Sequence, residues 1–387
     1  MTGIIADAIV VGGGLAGRIA ALAVAAAGLE TVHLAPPGPA DRRTSALMGP
    51  SVTYLEELGI VATPPDFGEP LRRIRIIDAT GRLIRAPETL FDSAEAGLDA
   101  FGWNFANTAL AERCETLAAG LTSLTTVPHF ARRVEIADEG TEVTLENGDS
   151  ISAPLVVGAE GKTSMVRAAA GIPVREHRFG EAALVADLEL ARPLEGVSVE
   201  FHYPHGPFTL VPAGERRANL VWIDEQPVLE AVRDAGPDAL VAALRQKSEG
   251  LFGEIRPLGR AFVFPLMTLT VGKAGARGAV LVGEAAHAFP PIGAQGLNLG
   301  LRDIADLAAA IDAADRTQPG WAEIVSEDYA RRRAADLART GGMVDALFRS
   351  LLTEMLPAQA LRAGGLWALK LVPPLRRQAF SLGMGGR

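Results

Sequence analysis

The chain has 387 residues, 48% of them hydrophobic, enough to bury a large core and better suited to two domains than to one. Its formal net charge of −9 contains no block of like charges and no basic stripe, which argues against a nucleic-acid partner. A single cysteine, Cys114, excludes an internal disulfide and suggests a reducing compartment, and no uninterrupted apolar window reaches the roughly eighteen residues of a membrane span.

In chain order, the first element is an apolar strand from Asp7 that runs into Gly12-Gly13-Gly14-Leu15-Ala16-Gly17. An Ala-rich helix from Leu15 to Ala27 follows, and Gly28 is its C-cap. Gly12 permits the turn, Gly14 lets a pyrophosphate approach bare backbone, and Gly17 lets the helix lie close to the strand. Glu30 to Leu34 supplies the second strand of a dinucleotide-binding unit. No basic leader with a cleavage site precedes it, so a cytoplasmic protein is expected. The acid that usually holds the adenosine ribose should fall near Ala35, where the sequence is Leu34-Ala35-Pro36-Pro37. Asp41 or a backbone group is expected to substitute.

Arg73 to Ile77 and Val185 to Leu190 have strand character, and Ala109 to Leu121 a helical pattern that makes Cys114 a small buried core residue. In Val197 to Tyr203, alternation places Val197, Val199, Phe201 and Tyr203 on one face, and Ala218, Leu220 and Trp222 repeat the pattern. These strands predict a largely antiparallel sheet with one apolar face, some residues of which pack on the dinucleotide domain while others roof a substrate pocket. His202 and His205 flank Tyr203-Pro204 without a second ligand pair, so they are read as turn residues and no metal site is expected. Gly272 to Gly278 lacks a second G-x-G-x-x-G. The strand Ala279 to Val282 then leads into Gly283-Glu-Ala-Ala-His-Ala-Phe-Pro-Pro-Ile-Gly-Ala-Gln-Gly-Leu-Asn-Leu-Gly-Leu-Arg-Asp303 and a helix from about Leu299 to Ala314. Glycines and prolines before a helix start expose amides suited to negative charge. No His, Asp or Glu has a spacing that demands a general base.

The N-terminal glycine motif, Gly158-Ala-Glu160-Gly161-Lys-Thr-Ser164-Met-Val-Arg167 and the Gly283–Asp303 run together resemble the three fingerprints of class A flavoprotein aromatic monooxygenases. Within that group the likeness is to the ubiquinone-biosynthesis hydroxylases. It includes Asp41-Arg-Arg43-Thr-Ser-Ala46-Leu47, the stretch Pro290 to Asp303 and the tail Leu371 to Gly385, and so covers essentially the whole chain. Glu160 and Glu284 stand where the wider superfamily usually has Asp.

The resemblance implies an α/β fold: a Rossmann-like FAD-binding domain of the para-hydroxybenzoate hydroxylase type, a mostly antiparallel substrate domain and C-terminal helices. Residues 1–70, 101–175 and 271–317 would form the FAD domain, 71–100 and 176–270 the substrate domain, and 318–387 a helical segment. It also implies hydroxylation of the aromatic ring of a polyprenylated phenol in ubiquinone biosynthesis, with FAD, O2, and NAD(P)H or another electron donor, through a flavin C4a-hydroperoxide. FAD would be held by Gly12, Gly14, Gly17, Arg43, Glu160, Gly161, Gly283, Glu284, Gly293, Gln295, Gly296, Leu297 and Asn298. Backbone at Pro291 and Gly293 would face the reactive oxygen. A flavin reductase or epoxidase of an isoprenoid lipid is the alternative; a plain NAD-dependent dehydrogenase leaves the Gly283–Asn298 run without a purpose. Across 351–387, five basic residues stand against one acidic, with Trp367 among apolar neighbours. That pattern fits either peripheral association with the inner face of a membrane or a helix packed on the chain's own flavin domain; contact with other quinone-biosynthesis proteins is what the resemblance implies.

Overall fold

The computed structural model describes residues 3–81, 86–352, 364–365 and 367–368. Its first unit is built around Ala8–Val11, Leu155–Gly158 and Ala279–Leu281, strands that are apolar along their whole length and buried on both faces, as central parallel strands covered on both sides must be. The strands of this sheet lie in the order Gly275–Ala276, Ala279–Leu281, Leu155–Gly158, Ala8–Val11, Thr31–Leu34, Leu124–Val127. All neighbours are parallel except the first pair. The helix Leu15–Ala26 packs on this sheet, its small side chains allowing close approach, and the helix Gln295–Ala313 lies against it. One core unites these elements, and Cys114 sits within it. Burial pushes the Cys114 thiol up to about 12, so it is an inert core residue as expected.

The helix Gln295–Ala313 begins a full turn before the expected Leu299. Gly296 and Gly300 had obscured its start, because glycine weakens a helical pattern without forbidding it.

The second unit is a large sheet in the order His287–Ala288, Phe262–Val271, Val174–Leu190, Arg217–Glu225, Gly206–Pro212, Val197–Tyr203, Arg73–Asp78, Thr89–Asp92. Neighbours are antiparallel apart from Arg73–Asp78 beside Val197–Tyr203. The alternating face read from the sequence is buried: Leu184, Phe201, Leu220 and Trp222 join Leu229, Leu240 and Leu244 in one cluster. Those leucines belong to the helices Gln226–Asp234 and Pro237–Lys247. The expected partner is thus corrected: this face packs not on the dinucleotide unit but on two helices of its own unit. The opposite face approaches the first unit, where Ala183, Ile223 and Leu266 pack with Ile292.

His202 also differs from its reading as a turn residue. It lies within the strand Val197–Tyr203 and is 6% exposed, whereas His205 does occupy the hairpin turn before Gly206. Alternation that sends Val199 and Phe201 inward necessarily sends Glu200 and His202 to the face turned toward the first unit.

The long helix Trp321–Leu352 lies against Gln295–Ala313. Among the described residues no helix is long and apolar enough to cross a membrane. Most of the segment 351–387 lies outside the described residues, and so does the expectation placed on it.

Candidate cofactor cleft

Three motifs far apart in sequence end on three adjacent strands. Gly158 is in register with Val11 on one side and Leu281 on the other, so the turns after these residues share one sheet edge. That edge is the carboxyl end of the strands, where open α/β sheets bind ligands. Glycine is required at the contacts. A Cβ on Gly12, whose φ is +133°, would collide with the Ala159 carbonyl, and one on Gly17 with the Gly12 carbonyl. A Cβ on Gly283 would meet that of Ala16 at 3.2 Å. Gly14, Gly161 and Gly296 are the reverse case, with nothing within 4 Å of an added Cβ. The first set closes the scaffold and the second lines an open cradle.

Two helices aim their N-termini here. Leu15–Ala26 and Gln295–Ala313 start without a side-chain cap, leaving first-turn amides and the positive dipole end for an anion. The Asn298 side chain fixes the second helix: Nδ2 donates to Ala46 O at 2.8 Å and Oδ1 accepts from Met48 N at 2.9 Å. Its side chain is thereby committed, and only its backbone can face a ligand. Gln295 Nε2 likewise donates to Gly293 O at 3.1 Å. Pro291, Gly293 and Gly296 are exposed and Leu297 half-buried, so this turn presents mostly backbone.

The charged candidates divide. Arg43 forms a bidentate pair with Asp41, at 2.8 Å and 2.9 Å, and lies in the field of Glu284. Arg43 and the exposed Glu284 are therefore brought together. Asp41 also accepts from Asn107 Nδ2 at 2.8 Å. Both Asp41 oxygens are thus engaged by Arg43 and Asn107 rather than held open as a substitute for the acid missing at Ala35. Glu160 turns inward: Oε1 accepts from Ser164 Oγ and Val166 N, both at 2.9 Å, and caps the short helix Met165–Ala169. Its Oε2 is buried with no partner among the described residues. Burial raises the Glu160 carboxyl above its ordinary range.

Beneath the cleft runs a buried network that the sequence did not reveal. Asp303 Oδ2 accepts from Gly283 N at 2.9 Å and lies 2.6 Å from His287 Nε2, while Oδ1 accepts from Arg333 Nε at 2.8 Å. Arg333 is 0% exposed and also pairs with Asp306 and Asp336. Arg167 Nη1 donates to Ala285 O at 2.8 Å, joining the second motif to the third. The Arg331-Arg-Arg333 run was the available signal, although only helix packing shows which arginine is buried. A half-open pocket of about 320 Å3 lies beside Arg18, His33 and Cys114, behind the first glycine turn, where Arg18 Nε donates to Gly13 O at 2.8 Å and His33 Nε2 lies 2.9 Å from Gly12 O.

Residues 6–337 match the model of a family described as FAD binding domain. The chain belongs to that family. This FAD binding domain protein is 30% identical to the ubiquinone hydroxylase UbiL of Rhodospirillum rubrum, covering 98% of this chain and 90% of the relative. It is 28% identical to the 3-demethoxyubiquinol 3-hydroxylase of Escherichia coli K12, covering 97% of each. Among solved structures, p-nitrophenol 4-monooxygenase from Pseudomonas putida DLL-E4 superposes with a TM-score of 0.79 at 19% identity over 100% of each chain. HpxO of Klebsiella pneumoniae, complexed with FAD and uric acid, gives 0.76 at 18% identity, over 98% of this chain and 97% of that one. These two show the fold, which is the α/β flavoprotein arrangement expected from the sequence.

Proposed function

We propose that the protein is an FAD-dependent monooxygenase that hydroxylates the ring of a polyprenylated phenol in ubiquinone biosynthesis. The observation that carries this is the convergence of three glycine motifs on one sheet edge around an open, amide-lined cradle. The two hydroxylase relatives that match nearly end to end support the substrate class. Bound FAD, reduced by NAD(P)H, supplies the oxygen chemistry with O2.

The chain's own residues do the rest. Open backbone at Gly14 and the uncapped amides of Leu15–Ala26 would hold the pyrophosphate, and Arg43, Glu284 and Gly161 would contribute to holding the cofactor. Amides at Gly296, Leu297 and Asn298, in the uncapped first turn of Gln295–Ala313, would stabilise negative charge on the reduced cofactor. Pro291 and Gly293 leave room for oxygen and exclude bulky groups. In this arrangement Gly12, Gly17 and Gly283 act by closing the scaffold, and Glu160 by setting the second turn. We also propose that residues 351–387 attach the enzyme to the membrane that holds its substrate, given their surplus of basic over acidic residues.

A Gly293→Leu variant tests the flavin-facing turn. Gly293 has φ +66°, so a side chain costs on the order of 1–2 kcal/mol in backbone strain, small enough for the protein to fold. The expected result is retained FAD, with NAD(P)H oxidation diverted from ring hydroxylation to free hydrogen peroxide. Normal coupling would remove the turn from the active site.

A further inference from the structure

Two side chains grip the first glycine turn from behind. Arg18 Nε donates to Gly13 O at 2.8 Å, and His33 Nε2 lies 2.9 Å from Gly12 O. A carbonyl only accepts, so this His33 nitrogen carries the proton. A trans peptide points its carbonyl and the next N–H in opposite directions, and among the described residues no peptide bond is cis. Holding Gly12 O toward His33 therefore turns Gly13 N–H away from it, and holding Gly13 O toward Arg18 turns Gly14 N–H away from Arg18. Neither amide donates to another group among the described residues, whereas Gly12 N is spent on Leu34 O at 3.0 Å.

Both placements run against local preference. Arg18 closes the first turn of Leu15–Ala26, where the positive dipole end disfavours a cation. Glu115 of the helix Asn107–Gly120 braces it there, at 2.8 Å. His33 is 3% exposed in the strand Thr31–Leu34, in register with Val10 on one side and Thr126 on the other. Burial pushes its imidazole down to about 4, so at neutral pH it is uncharged and its one N–H is spent on Gly12 O. The turn needs such fixing. Three successive glycines have the widest backbone freedom the chain can offer, and either peptide is otherwise free to rotate its carbonyl into the cradle.

We infer, resting on the cofactor cradle described above, that Arg18 and His33 are positioning residues for FAD. By drawing back the carbonyls of Gly13 and Gly12, they keep the Gly14 and Gly13 amides presented to the pyrophosphate. A rotated peptide would offer the same anion a carbonyl oxygen, which repels it. Without the two anchors the turn spends part of its time in such states, and apparent affinity falls with the fraction of molecules that is competent to bind. The anchors thus settle the shape of the turn before the cofactor arrives, so that binding does not have to order it.

The test uses the full chain, stripped of FAD and titrated with it. Affinity is read from flavin fluorescence, stability from thermal melts of the stripped protein, and the phosphate environment from the 31P spectrum of bound FAD. Both side chains line the half-open pocket of about 320 Å3, so substitutes there need not overpack. Arg18→Met and His33→Leu should each bind FAD about tenfold more weakly. The 31P resonances of their bound FAD should move toward those of free FAD, while the stripped proteins melt close to wild type. His33→Leu changes no charge at neutral pH, so its effect cannot be a lost attraction for the phosphates, and His33→Gln, which returns an N–H donor at similar reach, should restore most of the affinity. If one variant does not fold, the other decides. Wild-type affinity and 31P positions in the folded variants would overturn the positioning role, as would affinity lost only in step with stability while the 31P positions stay put. Wild type that fails to take up FAD, or binds it with the 31P positions of free solution, would instead overturn the cradle itself.

Discussion

A Gly14→Val protein is expected to fold with near wild-type stability and to purify with a reduced flavin content. Gly14 has φ −73° and ψ 173°, a backbone conformation open to any residue, and an added Cβ meets nothing within 4 Å. No protein atom contests the Cβ position, so the added side chain acts chiefly on a ligand in the cradle. Overpacking against a rigid pyrophosphate costs roughly 1–3 kcal/mol, so FAD should bind about tenfold to a hundredfold more weakly. The flavin-to-protein absorbance ratio and a thermal melt measure the two effects separately. Gly17→Ala is the contrasting variant: its Cβ would collide with the Gly12 carbonyl, and both stability and FAD should be lost. Full FAD loading of Gly14→Val would contradict the cradle.

The second large effect is expected at Arg333. Its replacement by Met keeps volume but leaves Asp303, Asp306 and Asp336 without their shared cation in a site where Arg333 is 0% exposed. Breaking such a buried network by one partner costs about 3–5 kcal/mol, measurable by denaturant unfolding. Asp303 also holds Gly283 N, so FAD affinity should drop with stability. The pH response has a definite sign. Burial raises the Asp336 carboxyl, but Arg302 and Arg333 more than offset this and hold it well below its ordinary value of 3.8. A depressed folded pKa contributes stability above the unfolded value and loses it as pH falls. Wild type should therefore lose stability below about pH 4, whereas Arg333→Met should start lower and lose less over the same range. Parallel acid-unfolding curves for the two proteins would contradict this account of the network.

What could be read from the sequence follows from what each residue does. Gly12 and Gly17 were legible because backbone meets backbone there, a demand that glycine alone satisfies. The alternation of Val197 to Tyr203 was legible as a strand, since period two is a local property. Which face met which partner was not, because the helices Gln226–Asp234 and Pro237–Lys247 that cover it come later in the chain and their packing is nonlocal. His202 was misplaced for a different reason: Pro204 nearby suggested a turn, whereas the period-two alternation of Val197–Tyr203 runs through it and sets it on the strand face of Glu200. Glu160 and Asp41 carried the right chemistry for a cofactor, yet Ser164 and Val166 claim the first, and Arg43 and Asn107 the second. Side-chain commitments of this kind have no one-dimensional signature. Nor did Arg333, whose two arginine neighbours in the run pair with Asp328 at the surface.

The central claim is that this flavoprotein transfers an oxygen atom to the ring of a prenylated phenol. Its most direct test is to supply purified, FAD-loaded enzyme with a short-chain prenylphenol, NAD(P)H and 18O2, and to measure the mass and position of label in the product. The account predicts one 18O atom per product molecule, bound to a ring carbon. Label on the prenyl chain, or consumption of the electron donor with the phenol reduced or unchanged, would contradict it.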